Sequence, residues 1–213
     1  MSFSCGYYGA SMKHTHLVPD KAAIELMPPF ERLMLDRIVV VSTAAQADQA
    51  WATLSQAPVW GFDTESKPTF FKDQVSDGPH VLQLATGDKA WVIQLHDPEC
   101  RARVARWMAE PHAVKAGFGL GDDRKRILHK LGVEPQGVLD LNHVFHQRGY
   151  RKDMGVKGAV AVLFGQRFAK SKKAATSNWA LPRLSESQVV YAANDAYAAW
   201  HVYQALGPIS SAF

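Results

Sequence analysis

The run PVWGFDTES, residues 58–66, constrains this chain more than any other segment. Val59, Trp60 and Phe62 are too apolar to leave in water, so the segment reads as a buried strand. Asp63 and Glu65 sit two apart at its end and project from the same face. A fold built around this strand has to bury it and still leave room beside two carboxylates, which are almost never taken out of water together without a cation. Two later segments carry matching acids. Asp123 in GFGLGDDRKRIL stands at the start of a helical pattern, and Tyr191 and Asp195 in YAANDAY stand four apart, on one face of a helix. A converging group of such carboxylates is the hard-oxygen ligand set that Mg²⁺ or Mn²⁺ takes.

The rest of the chain alternates strand and helix patterns. RIVVV (37–41) is a β-branched strand, followed by an Ala-rich helix behind a Ser or Thr cap at Ser42 or Thr43. VLQLATGDKAWVIQL reads as two strands joined through Gly87-Asp88, and DPECRARVARWMAE as a helix opened by Asp97-Pro98 with Val104, Trp107 and Met108 on one stripe. HAVKAGFG is a further strand. The helix after it is opened by Asp122 or Asp123, repeats Ile127, Leu128 and Leu131 at helical spacing, and stops at Gly132. From LDLNHVFHQRG onward the pattern is mainly helical, with Ser185 and Gln188 forming a capping box before the last helix. Strands ahead of a largely helical second half, with helices between them, predict an α/β sandwich. Residues 1–30 are expected to be a weakly ordered arm and 31–213 a single domain.

Composition narrows the setting. With 213 residues and 47% hydrophobic content the chain can bury a sizeable core, and it has no run of the roughly 18 to 20 apolar residues that a membrane span needs. Its two cysteines, Cys5 and Cys100, are too few for a disulfide framework, which points to a reducing, cytoplasmic setting. His14 with His16 and His143 with His146 lack the helical spacing of a zinc protease motif. The net charge is +4, and the excess is uneven: Arg148, Arg151, Lys152, Lys157, Arg167, Lys170, Lys172, Lys173 and Arg183 face Asp153 alone. That stretch reads either as a track for a polyanion or as a solvated lysine-rich face.

Hydrolysing a phosphodiester at neutral pH needs an activated nucleophile and charge relief on the attacking and leaving oxygens, which two divalent cations about 4 Å apart supply. In that arrangement Asp63 bridges, Glu65 and Asp195 complete the first site, and Asp123 holds the second, in part through water. Asp122 competes for the last role; if it caps the helix, its carboxylate is occupied and Asp123 is left free. Tyr191, a poor ligand for a hard cation, suits orientation of the attacking water from one turn before Asp195.

In these segments the chain resembles the DEDDy-type 3′-5′ exonucleases related to ribonuclease D, and most closely the Werner-syndrome-type exonuclease domain. The resemblance spans roughly residues 37–206 and is carried, in the family's order, by GFDTESKPTF, VLQLATGDKAWVIQL, AGFGLGDDRKRILHKLG, SNWALPRLSESQ and YAANDAYAAWHVYQAL. It implies a ribonuclease H-like fold with a mixed central sheet flanked by helices, and removal of nucleotides from the 3′ end of DNA or RNA with two divalent cations, Mg²⁺ or Mn²⁺. By position it makes Asp63, Glu65, Asp123 and Asp195 the metal-binding acids and Tyr191 the water-orienting residue, and it favours Asp123 over Asp122.

In the sequence as it stands no helicase segment or further helical nucleic-acid-binding domain follows the last helix. Substrate grip is therefore expected from this domain or from a separate helicase or repair partner. Lys170, Lys172 and Lys173, with Arg124 and Lys125, are the expected backbone contacts. Phe70 and Trp179 are candidates to stack on a terminal base, with burial in the core the alternative for Trp179. Leu82 and Gln83, on the neighbouring strand, receive no role. A catalytically silent nucleic-acid-binding domain on the same fold and a phosphoesterase for small phosphates are the competing readings. The sequence leaves the oligomeric state open.

Overall fold

The computed structural model describes residues 16–69 and 76–209. Its strands are β1 (Ile38–Val41), β2 (Val59–Glu65), β3 (Val81–Ala85), β4 (Ala90–Gln94), β5 (Val114–Gly117) and β6 (Val138–Asp140). They form one mixed sheet in the order β1-β4-β3-β2-β5-β6. β3 runs antiparallel to β2 and β4, and the remaining pairs are parallel. The helices are α1 (Lys21–Glu25), α2 (Ala44–Leu54), α3 (Pro98–Ala109), α4 (Gly121–Leu131), α5 (Leu141–Gln147), α6 (Gly155–Phe164), α7 (Lys172–Ala175) and α8 (Glu186–Leu206).

Strand alternation divides the core in two. Phe62, Leu82, Leu84 and Ile93 pack on one face with Val104 and Met108 of α3 and Ile127 of α4. Val81, Ala85, Ala90 and Val92 pack on the other with α6 and α8. Both faces of the sheet are thus covered, which makes the expected α/β sandwich. The turn between β3 and β4 closes where Thr86 N donates to Lys89 O at 2.9 Å, around Gly87-Asp88. Asp97 caps α3 with Pro98 in its first turn, and Thr43 with Gln46 and Ser185 with Gln188 form capping boxes on α2 and α8.

Four expectations need correction. The weakly ordered arm does not reach residue 30: Asp20 caps α1, Phe30 is buried against Phe164 and Phe168, and its N–H donates to Arg167 O. β6 interrupts the stretch read as helical, because Val138–Asp140 pairs in parallel with β5. Neither Asp122 nor Asp123 caps α4. The helix begins at Gly121 after Leu120, whose N–H donates to Asp140, and Asp122 lies exposed near Lys125. Leu128 is also exposed, leaving Ile127 as the buried anchor of α4.

α8 positions the candidate site. Its Ala192, Ala193, Ala196 and Ala199 are small enough for it to lie directly on β2, and Gly61 completes the contact. A Cβ at Gly61 would stand 1.9 Å from the Ala196 carbonyl oxygen, so only glycine fits. Gly61→Ala is expected to push α8 off the sheet and destabilise the fold by about 3 kcal/mol or more. Chemical denaturation checks this, and wild-type stability in the variant would refute the close-approach account.

Candidate active site

β2 ends in Asp63 and Glu65 on the sheet face covered by α8, and α8 brings Asp195 down onto that end. Carboxylate oxygens from all three lie within 4.8 Å of one another. Asp63 and Asp195 line a cleft of about 370 Å³ shared with Phe118, Gly119, Asn142 and Lys170. Asp195 is 4% exposed, and Asp63 and Glu65 are partly buried.

Asp123 is not among the three converging acids. It reaches the site from the opposite layer, where α4 starts beyond β5, and its carboxylate accepts a hydrogen bond from the Thr64 hydroxyl. Thr64 lies between the two strand-end acids and therefore points to the other face, toward α4. Sequence reasoning missed this clamp, although the alternation of D-T-E carries the signal.

Enclosing so much negative charge has an electrostatic consequence. Burial, reinforced by the Asp195 and Asp123 charges, raises Asp63 well above the usual carboxylate range against the pull of Lys170. Burial and the neighbouring Asp63 push Glu65 up to about 9. Burial also raises Asp195, opposed by Lys170, and Asp123, opposed by the Thr64 hydrogen bond and Arg126. Carboxylates enclosed together in this way favour a compensating cation. An all-carboxylate donor set of this kind fits hard divalent cations.

Tyr191 is 6% exposed, its ring 5.9 Å from that of Trp179. Burial, followed by the Asp195, Glu65 and Asp63 charges, raises its pKa strongly, so the phenol stays protonated and able to donate. Gln83, left without a role by sequence, faces Asp63 in register and is fully buried. Among the described residues neither end of its side-chain amide has a hydrogen-bond partner.

The expected substrate contacts separate into groups. Lys172 and Lys173 are exposed on α7, which Ser171 caps. Arg124 is exposed and paired with Glu134 at 2.9 Å, and Lys125 is exposed beside Asp122. Lys170 stands apart, with Nζ 2.7 Å from Asp195 Oδ2, inside the acidic centre. Trp179 corrects the stacking expectation: at 1% exposure it has no face free for a base and serves as the wall behind Tyr191. Phe70 lies outside the described residues.

Among the described residues no helix is long and apolar enough to cross a membrane.

A family model described as 3′-5′ exonuclease matches residues 16–210. The chain is 27% identical over 154 residues to a 3′-5′ exonuclease of Arabidopsis thaliana, covering 71% of this chain and 54% of that protein. It is 29% identical over 157 residues to the bifunctional 3′-5′ exonuclease/ATP-dependent helicase WRN of Mus musculus, covering 72% of this chain and 11% of that protein. It therefore spans about half the length of the first relative and about a tenth of the second. Among solved structures, Trypanosoma brucei RNase D in complex with RNA U12 superposes with a TM-score of 0.71 at 18% identity, covering 89% of this chain and 66% of that one. The Aedes aegypti Nibbler EXO domain superposes with a TM-score of 0.69 at 22% identity, covering 83% and 89%. The ribonuclease H-like architecture expected from the sequence is the one these structures share.

Proposed function

We propose, from the premise that this chain belongs to the 3′-5′ exonuclease family, that it removes nucleotides from the 3′ end of a DNA or RNA strand by metal-dependent phosphodiester hydrolysis. The observation that carries this reading is the convergence of Asp63, Glu65 and Asp195 within 4.8 Å, beside a cleft that Asp63 and Asp195 line. Two divalent cations, Mg²⁺ or Mn²⁺, when bound supply a lowered pKa for the attacking water and charge relief for the leaving oxygen. Asp63, Glu65 and Asp195 would hold the first, and Asp63 with Asp123, steadied by Thr64, would hold the second.

Tyr191 orients the attacking water through its protonated hydroxyl, and the buried wall of Trp179 fixes its ring. Lys172, Lys173, Arg124 and Lys125 follow the strand's phosphates, a contact that weakens as salt rises. We place the protein in a reducing, cytoplasmic compartment.

The test uses matched DNA and RNA single strands labelled at the 5′ end, with Mg²⁺ and with Mn²⁺. The expected result is a ladder shortening one nucleotide at a time from the 3′ end, abolished by a chelator. Strand binding without shortening would assign the chain to a silent binding domain, and turnover of small phosphates alone would assign it to a phosphoesterase.

A further inference from the structure

Asp195 already faces a cation that belongs to the protein. The Lys170 ammonium lies 2.7 Å from Asp195 Oδ2 and 5.5 Å from the centre of the Tyr191 ring, on a side chain that is 28% exposed. Lys170 therefore occupies the centre rather than the solvent, unlike Lys172 and Lys173. Both ends of its segment are tied down. Phe168 is buried against Phe30, and Ser171 caps α7 by accepting from Ala174 N. The acid is equally fixed, in the middle of α8 against β2. Between two anchored backbones, the four-carbon stem of Lys170 is the part free to move.

We propose that Lys170 is a counter-cation to Asp195 that has to leave this acid for a divalent cation to bind, so that metal loading and release of its ammonium are one event. The inference rests on the metal-site reading above. Its physical basis is exclusion: an ammonium and a divalent cation on one carboxylate repel strongly at this range and with this little solvent. The ammonium is held by an acid that a metal requires, Asp195, at 2.7 Å. The exchange delivers a freed ammonium beside the cleft when a divalent cation takes its place on Asp195. The phosphate of an incoming strand is the anion of matching chemistry for it.

The experiment uses the full chain. Mn²⁺ binding is first measured by calorimetry, and each lysine is then labelled with an acetylating reagent with and without saturating Mg²⁺ and quantified by peptide mass spectrometry. Labelling of Lys170 is expected to rise about tenfold with Mg²⁺, while that of exposed Lys157 on α6 changes less than twofold. Lys170→Met is expected to bind Mn²⁺ about tenfold more tightly than wild type, because no fraction of the centre is occupied in advance, and Lys170→Arg to keep wild-type affinity. If Mn²⁺ binds while Lys170 labelling stays unchanged, Asp195 holds metal and ammonium together on its two oxygens and the proposal is overturned. If the wild-type protein binds no Mn²⁺, the metal-site reading itself fails. The labelling arm needs no variant, so a misfolded substitution does not blunt the test.

Discussion

Asp63→Asn is expected to lower strand shortening by at least about 10³-fold while leaving the protein folded and, without metal, at least as stable as wild type at pH 8. The loss follows from position: Asp63 lies with Glu65 and Asp195 within 4.8 Å, and a neutral amide there removes several kcal/mol of charge stabilisation. The stability follows from the same geometry. Burial and the neighbouring Asp63 raise Glu65 from 4.5 in the unfolded chain to about 9, and Asp63 itself is raised by burial and by Asp195. Between those values the folded protein binds more protons than the unfolded chain, so metal-free stability falls as pH rises through that window. Removing the Asp63 charge relieves both terms, and the variant should show a flatter profile. Thermal melts from pH 5 to 9, with and without Mg²⁺, check this. In wild type the Mg²⁺-induced gain should grow with pH, and in Asp63→Asn it should nearly vanish. A variant that keeps full activity, or a wild-type profile that rises toward pH 9 without metal, would contradict the account.

Tyr191→Phe is expected to reduce kcat by about 10²-fold and leave Mn²⁺ affinity unchanged. The substitution removes one hydroxyl and keeps the ring that packs on Trp179, so the fold and the three carboxylates remain in place. Loss confined to kcat identifies the hydroxyl as a positioning group. Unchanged kcat would reduce Tyr191 to a core aromatic, and weakened metal binding would show that the phenol supports the ligand set instead.

The parts of this fold legible in sequence are those governed by short-range rules. Period-two alternation places Asp63 and Glu65 on one face, period-four spacing does the same for Tyr191 and Asp195, and Gly87-Asp88 and the Ser185–Gln188 box mark a turn and a helix start through local backbone chemistry. What stayed hidden depends on partners distant in sequence. β6 is three residues long and exists because β5 offers it an edge, so no pattern announces it. Asp122 and Asp123 look like caps, but Leu120 is held from afar by Asp140, which moves the start of α4 ahead of both acids. For Trp179 the sequence offers both base stacking and burial, and for Lys170 a backbone contact; tertiary packing takes the ring into the core and the ammonium into the acidic centre. The D-T-E alternation puts Thr64 on the opposite face, but its partner there, Asp123, is 59 positions away and is set by tertiary packing.

The most direct test of the metal centre is anomalous scattering from crystals grown with Mn²⁺. The expected result is a peak about 2.1 Å from carboxylate oxygens of Asp63, Glu65 and Asp195, with the Lys170 ammonium withdrawn from Asp195. A protein that shortens strands with Mn²⁺ but shows no peak among these three acids, or binds the ion elsewhere, would contradict it.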